Sequence, residues 1–117
     1  ASTRRRHSAG ARVACRTARE LGAVAVLALS FPLHPPGRPE KSRAAELLGA
    51  GVPTLVVQGG NDPFGRPREF PDGAYELVEV EQADHGFAVA KSAKIAEEET
   101  VTTITDAVRA WLGRLRE

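Results

Sequence analysis

Three features of this 117-residue chain predict an α/β fold, with parallel strands alternating with helices. Two apolar runs of strand length, residues 23–29 (AVAVLAL) and 52–58 (VPTLVVQ), read as strands covered by helices on both faces. Helical periodicity precedes the first run and closes the chain. The connections between strands are long enough for crossovers, which parallel pairing requires. The expected architecture is a mainly parallel sheet of about three strands flanked by helices, in one domain over residues 1–117.

In order, residues 9–21 read as a helix. Gly10, Val13, Ala14, Thr17, Ala18 and Leu21 share one face, and Arg12, Arg16 and Arg19 form an opposite, solvated one. Gly22 is a helix stop, and the first strand follows. Residues 30–40 (SFPLHPPGRPE) carry four prolines, which excludes regular structure there. A short helix is expected over 43–48. The second strand, 52–58, tolerates Pro53 only at its start. Residues 59–73 form a loop punctuated by Pro63, Pro67 and Pro71. Residues 75–80 (YELVEV) alternate in polarity, as expected of a half-exposed strand nearer an edge. Glu97, Glu98 and Glu99 place negative charge at a helix start. Val101, Ile104, Val108, Trp111, Leu112 and Leu115 carry that helix to the end of the chain.

Composition bounds the function. Sixteen Lys and Arg against fifteen Asp and Glu leave a net charge of +1, and apolar residues make up 42%. This argues against a disordered tail and against a strongly basic nucleic-acid binder. Stretches long enough to span a bilayer and a secretory leader are both lacking. The single cysteine, Cys15, cannot form an internal disulfide and suits a reducing, cytoplasmic setting. Placed two turns into the first helix, it is expected to pack in the core. Three His and one Cys show no metal-ligand spacing, and no phosphate or dinucleotide fingerprint occurs, so no metal and no cofactor are implied.

Sites in open parallel sheets lie beyond the carboxyl ends of the strands. Three candidates occupy such places. Ser8 stands directly before the first helix, in His7-Ser8-Ala9-Gly10. Asp62 follows the second strand, in Gln58-Gly59-Gly60-Asn61-Asp62-Pro63. His85 follows the third, in Ala83-Asp84-His85-Gly86-Phe87. Asp62 comes 54 residues after Ser8, and His85 comes 23 after Asp62. Each residue has a plainer reading: Ser8 as a helix N-cap, Asp62 as part of a turn, His85 as a surface loop residue. Their shared placement at one end of one sheet weighs against those readings, and outweighs them together with the family resemblance that follows. Asp84 is the rival acid, disfavoured because adjacent loop residues rarely aim at one another. His34 is the rival base, lying among prolines before the acid.

The order Ser, Asp, His resembles the α/β-hydrolase superfamily, whose nucleophile stands on a strand-to-helix turn of pattern G-x-S-x-G. The segments SAGARVAC, FPLHPPGRPEKS, PTLVVQGGNDPFG and ADHGF look like its dienelactone-hydrolase-like branch, and the likeness runs from Ser8 onward. The resemblance implies a serine hydrolase acting on a small ester, thioester, lactone or amide. Ser8 is then the nucleophile, His85 the general base and acid, and Asp62 the orienting carboxylate. The N–H of Ala9 is an oxyanion donor. Phe64 is expected to line the substrate cleft, and His34 to line it or simply to fill its loop. Two departures stand out: Arg6 replaces the first glycine of the motif, and the family's earlier strands have no counterpart. Either the chain, which has no Met, is the C-terminal part of a longer hydrolase, or its arginine-rich start has replaced native sequence; in both cases it is expected to be weak alone and prone to self-association through an exposed sheet edge. The alternative reading is a catalytically degenerate hydrolase fold kept as a binding or scaffold module.

Overall fold

The computed structural model describes residues 11–13, 15–16, 24–91 and 97–116. Three strands, β1 (Val26–Leu29), β2 (Thr54–Gly59) and β3 (Glu76–Val80), form one parallel sheet in the order β1-β2-β3. Val26 pairs with Thr54 at one end of the first ladder, and Gly59 with Val80 at the far end of the second. Helix α1 (Ala44–Leu48) lies in the first crossover and a 3-10 turn, Pro67–Glu69, in the second. Helix α2 (Glu97–Leu115) ends the described chain. Among the described residues no helix is long and apolar enough to cross a membrane.

The sheet separates two apolar clusters because successive strand side chains point to opposite faces. On one face Val26, Ala28 and Val56 pack with Ala11, Cys15, Phe31, Leu33 and Leu47. On the other, Leu55, Val57 and Val80 pack with Ala83 and Trp111, and Ile104 and Val108 of α2 lie against them. Leu55, Val56 and Val57 are fully buried. Each such side chain contributes about 1.5–3 kcal/mol of apolar burial, so β2 holds the layers together. Cys15 is buried as expected, and burial pushes its thiol up to about 11.

Three expectations need correction. The first apolar run was expected to be a strand covered on both faces, but only Val26–Leu29 is strand and Leu27 remains 39% exposed. Among the described residues it pairs on one side, with β2, so the fully enclosed central strand is the second run. The helical residues 11–13, 15 and 16 turn a different face inward. Ala11 and Cys15, one turn apart, are buried while Val13 is exposed. Their small side chains let the helix approach Val26 and Ala28, which themselves carry little bulk. Arg12 is also more than a solvated surface residue. Its guanidinium donates twice to Glu46 of α1, at 2.9 and 2.8 Å, fastening the two helical segments together. That carboxylate raises the Arg12 pKa, and the guanidinium in turn lowers that of Glu46.

Candidate active site

The carboxyl ends of β1, β2 and β3 converge on one spot. Past Gly59 the chain turns sharply: Gly60 N–H donates to Val80 O and Asn61 N–H to Ala83 O, both at 2.9 Å. These bonds lash the acid loop to the loop that follows β3. Gly59 must be glycine, since a Cβ there would lie 2.4 Å from Ala83 O and 2.5 Å from Asp84 O. The loop after β3 is tied by an antiparallel bridge between Ala83 and Val89. Phe87, with φ of 63°, lets it reverse tightly, and Asp84 N–H donates to Ala88 O at 2.9 Å.

Within this frame Asp62 Oδ2 accepts a hydrogen bond from His85 Nδ1 at 2.7 Å. Asp62 is fully buried and His85 is nearly so. Both carboxylate oxygens are engaged by donors. Oδ1 accepts from the Phe64 N–H at 2.8 Å, and Oδ2 also accepts from Gln58 Nε2 at 3.0 Å. A carboxylate accepting at Oδ2 places the imidazole proton on Nδ1, leaving Nε2 of a neutral ring with its lone pair. Nε2 is buried and has no hydrogen-bond partner among the described residues. The Phe64 ring lies against the imidazole, centroids 4.3 Å apart and planes tilted by 31°. A histidine oriented by a buried carboxylate, with its second nitrogen uncommitted, can accept a proton from a hydroxyl or water and return it.

Asp84, the rival acid, has another task. Its Oδ1 accepts from Gly86 N–H and Ala88 N–H, both at 2.9 Å, and so shapes the turn that carries His85. Adjacent residues on a tight turn diverge, whereas Asp62 faces the imidazole across two strand ends.

A model of the alpha/beta hydrolase domain family matches residues 6–113. The chain belongs to that family. Among the curated proteins and among the solved structures nothing matches. Membership supports a hydrolase in general and agrees with the parallel sheet carrying its polar loops at one end.

Ser8, Ala9 and Arg6 lie outside the described residues. His34, expected to line a cleft or to fill its loop, is 5% exposed with both ring nitrogens committed. Nδ1 faces Pro35 O at 2.8 Å and Nε2 faces Glu69 at 2.9 Å. Both partners are acceptors, so only the doubly protonated ring satisfies them. The Pro35 carbonyl, then the Glu69 carboxylate, raise the His34 pKa against the opposing effect of burial. Its ring therefore fastens the proline-rich loop to the 3-10 turn, and its backbone N–H reaches Phe64 O at 2.9 Å.

Two residues at the site escaped the sequence reading. Ser30, at φ of 65° just past β1, is buried and donates its hydroxyl to His85 O at 2.6 Å. Gln58 is fully buried at the end of β2. Its Oε1 accepts from Phe31 N–H at 2.9 Å, and its Nε2 faces Phe31 O, Gly65 O and Asp62. A polar residue ending an otherwise apolar run was the available signal for Gln58. For Ser30 it was the serine placed just past a strand's carboxyl end.

A groove of about 730 Å³ lies at the opposite end of the sheet, where the first residues of β2 and β3, Thr54 and Glu76, help to line it with Tyr75 and Trp111. A six-residue strand separates it from Asp62 by roughly 20 Å, so it takes no part in the chemistry of that pair.

Proposed function

We propose that this protein is a serine hydrolase, similar to the dienelactone-hydrolase-like branch, acting on a small carboxylic ester, thioester, lactone or amide. The observation that carries the reading is the buried Asp62–His85 pair, whose Nε2 has no hydrogen-bond partner among the described residues, in a chain of this family. Ser8 attacks the carbonyl carbon while its proton passes to His85 Nε2. Asp62 holds the ring in the Nδ1–H tautomer and balances the imidazolium charge. The N–H of Ala9 stabilises the oxyanion of the tetrahedral intermediate. Collapse breaks the bond to the leaving group, which takes the proton back from Nε2. Water, deprotonated by the same nitrogen, then adds to the acyl carbon, and collapse breaks the bond to the Ser8 oxygen, which takes the proton back from Nε2 as the carboxylic acid leaves. Phe64, its ring tilted against the imidazole, forms an apolar wall beside the base.

A fluorophosphonate probe tests the assignment. It should label wild type in a His85-dependent manner and fail to label Ser8→Ala; labelling that survives in Ser8→Ala overturns the nucleophile. The second reading, a degenerate module, draws on Arg6 in place of the motif's first glycine. It predicts no labelling and no turnover of short p-nitrophenyl esters by a folded wild type.

A further inference from the structure

We infer that Gln58 is a positioning residue for the acid–base pair, fixing which oxygen of Asp62 faces His85 and supporting the negative charge there. The inference rests on the proposed role of that pair. Four observations lead to it.

First, Gln58 Nε2 donates to Oδ2, the same carboxylate oxygen that accepts from His85 Nδ1. The two donors converge on one atom from different elements, β2 and the loop after β3. The carboxylate cannot rotate about its Cβ–Cγ bond without losing both, as well as the Phe64 N–H on its other oxygen.

Second, among the described residues the bonds Asp62 makes include no arginine or lysine, and the His34 ring acts on it only through space. The partners of Asp62 are two neutral N–H groups and the His85 imidazole itself. Hydrogen bonds to an ionised group in a dry site are about twice as strong as neutral ones. The Gln58 amide is thus one of two fixed neutral donors, with the Phe64 N–H, that support the carboxylate where it faces the imidazole.

Third, the amide itself cannot turn. Oε1 is held by Phe31 N–H at 2.9 Å, and Phe31 O and Gly65 O face Nε2 at 2.9 Å each. Flipping the amide would set its nitrogen against Phe31 N–H and its oxygen against three acceptors. The orientation of the donor is thus dictated by backbone just past β1 and in the acid loop, at the buried residues Phe31 and Gly65.

Fourth, the chemistry at position 58 is specific. Glutamate has the same shape and keeps an acceptor for Phe31 N–H. In its ionised form it replaces the donor with a second carboxylate beside the first, and two such groups in one dry site share a proton rather than both ionise.

The wild-type full chain provides the first test. With uniform ¹⁵N labelling, the Gln58 side-chain amide resonances are followed together with the His85 ring resonances as pH is varied. The expected result is that the amide moves with the same midpoint as the His85 ring, because protonation of the imidazole alters the charge on the oxygen both groups share. An amide that stays constant while His85 titrates overturns the inference, since an amide engaged only in structural bonds to Phe31 and Gly65 has no reason to respond.

The second test is kinetic, on short p-nitrophenyl esters. Gln58→Glu is expected to lower kcat by about 10- to 100-fold, the range for a hydrogen bond to a charged group, with KM within about twofold. Gln58→Asn, which shortens the side chain without adding charge, should lower kcat in the same manner. A folded Gln58→Glu enzyme with wild-type kcat overturns the inference. Should either variant fail to fold, the wild-type titration still decides. If wild type neither turns over esters nor takes the fluorophosphonate, the hydrolase reading fails alone, and co-titration continues to report on Gln58 and Asp62.

Discussion

Replacing Ser30 probes how the imidazole loop is anchored, and its outcome can be worked from the structure. The Ser30 hydroxyl donates to His85 O at 2.6 Å, and the serine is fully enclosed. Ser30→Ala removes the donor and leaves the carbonyl of His85 without that bond. A buried acceptor stripped of its partner costs about 1–3 kcal/mol. The backbone adds a second effect. At φ of 65° a residue with a Cβ is disfavoured, and glycine is not. Ser30→Gly loses the same hydrogen bond but relieves this conformational cost. After the extra chain entropy that glycine loses on folding, it should lie about 0.5–1 kcal/mol above Ser30→Ala. Urea unfolding monitored by Trp111 fluorescence measures both. With a slope of about 1–3 kcal/mol per molar urea, a 2 kcal/mol loss in Ser30→Ala moves the midpoint down by about 1 M. Fluorophosphonate labelling should slow in both variants, as the loop carrying the base is no longer tied to the end of β1. A Ser30→Ala midpoint indistinguishable from wild type, or a Ser30→Gly protein less stable than Ser30→Ala, would refute the reasoning.

Asp62→Asn should lower kcat by about 10⁴, the loss seen when the orienting acid of the best-studied triad becomes an amide; Asp84→Asn, which keeps an acceptor for Gly86 and Ala88, should cost less than tenfold, and the reverse ranking in ester turnover would reassign the acid. Gly59→Ala forces Ala83 O and Asp84 O apart from β2, so thermal unfolding should show a loss of about 2 kcal/mol or more together with a loss of ester turnover. The His34–Glu69 pair makes stability depend on pH. His34 is raised above 6.5 in the folded state, so its contribution is complete below 6.5 and fades as pH rises through the folded value. Glu69 is lowered below 4.5, first by the Arg66 N–H and then by His34, so its contribution is present above 4.5 and fades as pH falls through the lowered value. Urea midpoints should therefore be highest between about pH 4.5 and 6.5 and decline toward pH 8, and Glu69→Gln should flatten both limbs; a wild-type midpoint that rises from pH 6 to pH 8 would contradict the pairing.

The elements that chain periodicity could reveal were those whose partners are solvent and a sheet face. The apolar runs, the acidic start of α2 and its Val101-to-Leu115 pattern are local signals, and all of them correspond to elements found in the fold. Asp62 and His85 were legible because turn residues after strand ends mark one side of a parallel sheet. Other features depend on pairs far apart in the chain. Gln58 meets Phe31 across 27 residues, Ser30 meets His85 across 55, and Arg12 meets Glu46 across 34. No period of two or 3.6 encodes such meetings. Nor could hydropathy tell which of the two apolar runs pairs on both sides among the described residues, since both are equally rich in Val and Leu; their places follow from which ladders form. His34 was read as a cleft or loop-filling residue from its place among prolines, and its burial depends on the Pro35 carbonyl and the Glu69 carboxylate that face its two ring nitrogens.

The division of the interior by the sheet has a consequence for how this sequence can vary. The cluster around Cys15, Phe31 and Leu47 and the cluster around Trp111 and Val80 touch the same three strands from opposite sides without sharing a side chain. Substitutions more than about 7–10 Å apart with no common neighbour add in their effects. Losses on one face can thus be repaired on that face alone, and a library shuffling both faces decomposes into two smaller ones searched in parallel. The exceptions lie along the strands, where consecutive residues alternate between the clusters: Leu55, Val56 and Val57 on β2, Ala28 and Leu29 on β1, Leu77 and Val78 on β3. A change of backbone there is inherited by both halves of such a library, and on β2 also by the acid loop that this strand launches.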